Sequence, residues 1–137
     1  MNVSMQAALK IIDETSSGDR LGEVRLQLVS EQISVRELIE RRVRHEVETY
    51  NAETEKGWFR GLVEPTDAER DLNGATRPRK RRALDPDAQV AVALKAFESN
   101  GFFMLAEGRQ LESLDDILRV SRDTAVTFVK LLPLVGG

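Results

Sequence analysis

Residues 33–50 read ISVRELIERRVRHEVETY, and this stretch contains the clearest helix signal in the chain. Ser34 is followed three residues later by Glu37, which is the spacing of a helix-starting capping box. We predict a helix over about residues 35–51. Its apolar residues recur every three or four positions, which is typical of a helix with one buried face. They are Val35, Leu38, Ile39, Val43, Val47 and Tyr50.

Two strands are predicted before this helix. Residues 5–12 form an apolar segment, and in residues 23–28 apolar and polar side chains alternate, which is the pattern of a half-buried strand. Residues 13–20 are polar or glycine and predict a long hairpin loop between the two strands.

A second helix is predicted near the middle of the chain. Asp85 suits the N-cap and Pro86 the first helical position, while Asn100-Gly101 favours termination. The residues expected to be buried on this helix are Val90, Ala93, Leu94 and Phe97.

The C-terminal part is predicted to be mainly β-structure. We expect a strand at 102–106, a tight turn at Glu107-Gly108, a short strand at 109–111 and a last strand from 125 to about 132. Between them, three apolar residues are expected to anchor a loop or a single helical turn; they are Leu114, Ile117 and Leu118.

This order of elements predicts an α+β protein with one domain over residues 1–137. Strands from both ends of the chain must share a sheet, and the helix at 35–51 needs a sheet face for its apolar stripe. The layout is that of a β-grasp, a mixed sheet packed on one helix, in which the first and last strands are parallel neighbours. Residues 51–101, with the second helix, are interpreted as an insertion.

The sequence also resembles ubiquitin. The similarity is carried by residues 102–112, FFMLAEGRQLE, in which the local pattern is Leu-x-x-Gly-Arg-Gln-Leu-Glu, and by a final strand followed by Gly136-Gly137. The end of the chain, PLVGG after Leu132, is similar to that of the prokaryotic sulfur carriers of molybdopterin and thiamine synthesis. The resemblance covers about 1–50 and 102–137.

The resemblance implies a ubiquitin-like protein modifier or carrier. The C-terminal carboxylate of Gly137 would be adenylated by a partner activating enzyme and passed to a downstream conjugation or sulfur-transfer partner. Glycine has no Cβ, so Gly136 and Gly137 would fit a narrow enzyme channel. The product could be a thiocarboxylate, an isopeptide bond or a thioester. The apolar tail residues are expected to contact a partner; they are Leu131, Leu132, Leu134 and Val135. The opposing interpretation is that the tail is inert.

Two further positions matter to the resemblance. Arg109 stands where ubiquitin has a lysine used for chain building, and an arginine is not normally acylated. Leu105 matches the central residue of the apolar patch that ubiquitin presents to its readers. Strand alternation puts Phe103 on the same face and Met104 on the core face, and the second helix could cover this patch.

Within residues 51–101, the aromatic pair Trp58-Phe59 and a run of basic residues each have two interpretations. Trp58-Phe59 either packs the insertion against the rest of the domain or forms a binding site. Separately, Thr66 and Glu69 have the spacing of a capping box and predict a short helix over 67–73. A basic run is either a solvated loop or a docking patch for an anionic partner. Its charged residues are Arg77, Arg79, Lys80, Arg81 and Arg82.

The composition narrows the function classes. The chain has 137 residues, a formal net charge of -3 and no cysteine, which argues against nucleic acid as a main partner and excludes thiolate chemistry. His45, the only histidine, lies off the apolar stripe and is expected to be solvated. No catalytic or metal-binding motif is present, so we expect neither an enzyme, nor a metal or other cofactor. Without a signal peptide or membrane span, a cytoplasmic location is expected.

One alternative function remains from the sequence. The chain could be a non-conjugated β-grasp module for protein–protein interaction, with the insertion and its basic run as binding parts.

Overall fold

The computed structural model describes residues 7–28, 30–53, 61–63, 83–121 and 123–131. Within these ranges the chain is an α+β protein with two helices and two sheets. The strands are β1 (Ala7–Thr15), β2 (Arg20–Leu28), β3 (Gln32–Ser34), β4 (Phe102–Ala106), β5 (Arg109–Leu111), β6 (Ile117–Arg119) and β7 (Ala125–Lys130). The helices are α1 (Val35–Ala52) and α2 (Pro86–Glu98).

The main sheet is mixed and has the strand order β2-β1-β7-β4-β5. The predicted parallel pairing of the first and last strands is confirmed, with Ile11 opposite Val126. The other neighbours are antiparallel. The chain therefore places β7, its last described strand, between β1 and β4.

The chain divides into two compact units. The first comprises Met1–Leu38 and Phe97–Gly137, and the second Ile39–Ala96. The first unit has a core of apolar side chains from the main sheet. Phe102 stacks at a tilt on both Phe97 and Phe128, with ring centroids 5.8 and 5.9 Å apart respectively, a spacing at which aromatic pairs attract each other. The other fully buried core residues of this sheet include Leu9, Ile11, Leu28, Met104, Leu111 and Val126.

The start of α1 is fixed by contacts within the first unit. The Glu37 amide donates to Ser34 Oγ at 3.1 Å, as the capping box predicted. Two more amides at the helix start, of Val35 and Arg36, donate to the carbonyls of Asp116 and Leu114 at 2.9 and 3.0 Å. The loop after β5 thus satisfies donors that have no partner inside the helix.

In the second unit, polar side chains on the helices form hydrogen bonds with backbone groups outside the helices. Asn51 donates to the Leu84 carbonyl at 3.0 Å and accepts from the Leu84 amide at 2.9 Å. The Asn51 side chain therefore satisfies both the amide and the carbonyl of Leu84, in place of a backbone partner. The predicted N-cap of α2 is confirmed, because Asp85 Oδ1 accepts from the Asp87 amide at 3.1 Å.

A second polar cluster in this unit was not expected from the sequence. Arg42 is buried on α1 and contacts Glu46 at 3.1 Å, and the other oxygen of Glu46 accepts from the Leu62 amide at 2.9 Å. Gln89, also buried, donates to the Val63 carbonyl at 3.2 Å, while its side-chain oxygen has no hydrogen-bond partner among the described residues. These hydrogen bonds and the ion pair stabilise the buried side chains, since burying a charged or amide group without a partner costs free energy.

Most predicted helix and turn positions are confirmed. The apolar stripe of α1 is buried from Val35 to Val47, with Tyr50 half-buried, and His45 is exposed. Helix α2 ends before Asn100, which has a φ of 63°, and Glu107 and Gly108 form the tight turn with φ values of 52° and 78°. A left-handed conformation at these positions suits asparagine and glycine.

Two predictions in the first unit are wrong. The loop 13–20 is shorter than expected, because the strands extend to Thr15 and from Arg20, and the turn is closed by Thr15, whose amide donates to the Asp19 carbonyl at 2.9 Å. The polar side chains there did not prevent strand pairing: Thr15 is buried, and its hydroxyl accepts from the Asp19 amide at 3.1 Å within the turn. Ile117 is not an anchor but 52% exposed in β6, which pairs with β3 in a second, two-stranded sheet.

The first strand was predicted over 5–12, but residues 5 and 6 lie outside the described residues and β1 continues to Thr15. The last strand was predicted to reach about 132; β7 ends at Lys130. The short helix over 67–73 and Trp58-Phe59 lie outside the described residues, and the interpretation of 51–101 as an insertion stays a prediction.

Candidate partner-binding face of the sheet

The main sheet has a buried face and an exposed face, and β4 shows the division most clearly. Met104 is fully buried, whereas its neighbour Leu105 is 40% exposed and Phe103 is half-buried. Successive side chains of a strand point to opposite faces. The predicted placement of Phe103 and Leu105 on one face and Met104 on the core face is therefore confirmed. That the second helix could cover the patch around Leu105 stays a prediction.

Strand β7 follows the same alternation next to β4. Val126 and Phe128 are fully buried, while Thr127 and Val129 are half-buried. Thr127 is paired with Leu105, and Val129 with Phe103. Paired residues on adjacent strands lie on the same face, with their Cβ atoms roughly 4.5–5.5 Å apart. The side chains of β7 therefore continue the exposed face begun by β4.

Strand β1 extends the exposed face on the other side of β7. Ile12 is half-buried and is paired with Thr127. These cross-strand pairs create a contiguous cluster on three strands, which we call the open-face patch; it comprises Ile12, Phe103, Leu105, Thr127 and Val129. Apart from Thr127, these side chains are apolar. Several neighbouring apolar side chains, unlike a single exposed leucine, are typical of a site that contacts a partner.

Polar residues border the open-face patch. Lys10 and Glu14 precede and follow Ile12 on the same face of β1, and Gln110 of β5 is paired with Leu105. Glu23 of β2 lies 3.8 Å from Lys10 and 2.9 Å from Arg20 in surface ion pairs. An apolar centre with a charged and polar rim is the usual composition of a protein-binding surface.

The chain leaves the sheet at the end of β7, beside this patch. The Lys130 carbonyl accepts from the Ser16 amide at 3.0 Å, and Phe102 is paired with Lys130. Leu131, the next residue, is 43% exposed. The starting point of the tail therefore lies between the β1–β2 turn and the start of β4, and Leu131 is the tail candidate that the structure describes.

The remaining candidate residues lie outside the described part of the chain. They are Leu132, Leu134, Val135, Gly136 and Gly137 of the tail, and Arg77, Arg79, Lys80, Arg81 and Arg82 of the basic run.

Neither a metal centre nor a membrane-spanning helix is found among the residues described. In these ranges no three histidine or carboxylate side chains are grouped closely enough to hold a metal ion. No helix there is both long and apolar enough to cross a membrane.

The sequence pattern predicts two of the five residues of the open-face patch. Phe103 and Leu105 were found from strand alternation, but Ile12, Thr127 and Val129 were not assigned to the same surface. The alternation within β7 was readable from the sequence. The proximity of Ile12, Thr127 and Leu105 depends on the registers of β7 with β1 and β4. The alternation fixes the face on which each residue lies, but a shift by two residues keeps every face and changes which residues are opposite each other.

Comparison with protein-family models, with curated proteins and with solved structures found no match.

Proposed function

We propose that this chain is a ubiquitin-like β-grasp protein that serves as a modifier or carrier. The observation that carries the proposal is the strand order β2-β1-β7-β4-β5, with parallel β1 and β7 at its centre and α1 following the first hairpin in the chain. An N-terminal hairpin, a helix and a last strand that returns beside the first are the features of a β-grasp. In this proposal the residues between α1 and β4 are an insertion into that fold.

The reactive group in this proposal is the carboxylate of Gly137. A carboxylate is a poor acyl donor, so a partner enzyme must first activate it with ATP. A carboxylate oxygen attacks the α-phosphorus, the bond between the α- and β-phosphates breaks, and pyrophosphate leaves while an acyl-adenylate forms. A thiol, sulfide or lysine amine then displaces AMP from the activated carbonyl carbon.

The tail has the length and composition for this transfer. It begins at the exposed Leu131, and seven residues span at most about 25 Å when extended at about 3.5 Å per residue. Gly136 and Gly137 have no side chain to obstruct a channel that closes around the tail. The folded body can therefore stay outside the enzyme while the carboxylate reaches the nucleotide.

The open-face patch is the proposed docking surface for the activating enzyme and for the downstream partner. Leu105 is its most exposed apolar residue and lies opposite Thr127 of the middle strand β7. Because Phe103 and Leu131 lie on the side of the patch where β7 ends, one partner can contact the patch and take up the tail together.

An intact-mass experiment tests the carrier proposal. The purified protein is incubated with extract of its source cells, ATP and magnesium, and its mass is followed. We expect a C-terminal adenylate, a thiocarboxylate or a lysine adduct, and we expect Gly137→Ala or deletion of Gly137 to remove it. An unchanged mass in an extract that activates a known carrier contradicts the proposal.

A matched pair of variants tests the docking surface. Leu105→Asp places a charge in the open-face patch, and Ile117→Asp places one on a similarly exposed aliphatic residue of the other sheet, 40% and 52% exposed respectively. We expect only Leu105→Asp to suppress the adduct. Equal effects of the two substitutions would show that the patch has no special role.

A second candidate function is a non-conjugated interaction module. The observation that favours it is that the open-face patch is complete without the tail, so binding there needs no covalent step. In this case Leu105→Asp abolishes partner binding while deletion of Gly137 leaves it unchanged, and no adduct forms with ATP.

A further inference from the structure

Strand β2 forms an outer edge of the main sheet among the described strands, since it pairs with β1 alone. Its residues 20–25 are all exposed. Two of them are apolar, Leu21 at 56% and Val24 at 43% exposure. An edge strand has backbone donors and acceptors along one side that can pair with another strand, and exposed apolar side chains favour such pairing.

The edge is interrupted at one point. Asp13 is paired with Gly22 but Glu14 with Arg20, so Leu21 has no partner on β1 and the register shifts there. Such an extra residue bends the strand locally and discourages pairing beyond it. The regular part of the edge therefore runs from Gly22 to Leu28, with Val24 exposed within it.

We propose that a second copy of this chain pairs with β2 in antiparallel orientation, with Val24 of the two copies directly opposite each other. The segment around Val24 is self-complementary in charge. In this register Glu23 of each copy lies opposite Arg25 of the other, which gives two ion pairs on one face. On the other face the two Val24 side chains cover each other's exposed surface.

Neighbouring registers are disfavoured by charge. A shift by two residues in one direction brings Glu23 opposite Glu23, and a shift in the other direction brings Arg25 opposite Arg25. Like charges directly opposite each other destabilise a strand pair, whereas opposite charges stabilise it. The register centred on Val24 is therefore the one in which both charged residues are satisfied.

The charges within one copy support the same pairing. Glu23 is close to both Lys10 and Arg20, whereas Arg25 has no ion pair among the described residues and is paired across the strands with Lys10. Arg25 thus lies opposite a like charge in the monomer. Glu23 of a second copy would give Arg25 an opposite charge on its free side.

A single-cysteine experiment tests the register, since the chain has no cysteine of its own. Residues opposite each other in an antiparallel pair have Cα atoms about 4.5–5.5 Å apart, within the range that a disulfide spans. Val24→Cys should therefore give a disulfide-linked dimer under mild oxidation. Leu21→Cys is the matched control, because the same register separates its two copies by roughly 20 Å.

The result of this experiment decides the proposal. Rapid cross-linking of Val24→Cys with little of Leu21→Cys supports the register. Equal cross-linking of both variants, or cross-linking of Leu21→Cys alone, overturns it.

A charge exchange followed by sedimentation equilibrium tests the ion pairs without any covalent link. Arg25→Glu should weaken dimerisation at least about tenfold, because it brings like charges together twice. The double variant Glu23→Arg/Arg25→Glu restores opposite charges across the interface and should recover most of that loss. Failure of the double variant to recover, with both variants folded by circular dichroism, counts against the proposed register.

The unmodified protein provides the remaining comparison. A chain that stays monomeric up to about 1 mM, where an association of about −4 kcal/mol is half complete, overturns the proposal. The β2 edge would then be open to a strand from another protein. A dimer that survives both Val24→Lys and Arg25→Glu would place the contact elsewhere and also overturn it.

Discussion

Adjacent residues of β4 offer the sharpest test of the two faces of the sheet. Met104 is fully buried and is paired with two buried residues, Phe128 on β7 and Leu111 on β5. Leu105, one position later, is 40% exposed. The substitutions Met104→Ala and Leu105→Ala remove side chains of similar size from the two faces of one strand.

The expected losses of stability differ severalfold. Replacing a buried methionine by alanine removes its transfer free energy and leaves a cavity, at a cost of about 2–5 kcal/mol. Full burial of a leucine side chain contributes about 1.5–3 kcal/mol, and Leu105 realises only part of this. Because solvent fills the space that Leu105→Ala leaves on the surface, we expect a loss of about 1 kcal/mol or less.

Thermal and urea denaturation followed by circular dichroism measure both losses. For a chain of this length, 1 kcal/mol corresponds to roughly 3–5 °C in Tm. Met104→Ala should therefore lower the Tm by roughly 6–25 °C and Leu105→Ala by about 5 °C or less. The same Leu105→Ala protein should lose partner binding that Met104→Ala, assayed well below its Tm, retains.

One outcome refutes this reasoning. If Leu105→Ala destabilises the protein as much as Met104→Ala, then Leu105 is covered and the open-face patch is not available to a partner. The placement of the patch and the docking part of the proposed function would then both be wrong.

Three further predictions concern other parts of the structure. Asn51→Ala removes both hydrogen bonds to Leu84 and should cost about 2 kcal/mol in denaturation; Asn51→Asp should cost at least as much, because it places a carboxylate oxygen against the Leu84 carbonyl. Arg42→Met leaves the Glu46 carboxylate without its ion pair and should cost about 3 kcal/mol, whereas adding Glu46→Met recovers part of this loss; a double-mutant cycle in urea measures the coupling. Gly108→Ala should cost about 1 kcal/mol from its left-handed backbone alone, since a Cβ there meets no atom within 4 Å; a loss above about 3 kcal/mol would indicate a steric clash instead.

Much of the local structure was predictable because it depends on neighbouring residues. Ser34 and Glu37 started a helix where the sequence placed it, and Asn100 and Gly108 supplied the left-handed backbone at a helix end and a turn. The alternation in β4 correctly separated Met104 from Leu105. In each case the deciding contacts lie within a few residues along the chain.

The amino-acid pattern alone thus predicts α1, α2, the turn at Glu107-Gly108, the α+β class and the face of each side chain in β4. The assembled sheet decides the registers of β7 with β1 and with β4, which bring Ile12 and Leu105 to either side of Thr127. It also decides the pairing of β3 with β6, in which Ile117 is exposed, and the position of β2 at an edge. Strand pairing joins residues far apart in sequence through backbone groups that all residues share. Local patterns do not encode which backbone groups meet, so the open-face patch and the self-complementary edge at Val24 appear only once the sheet is assembled.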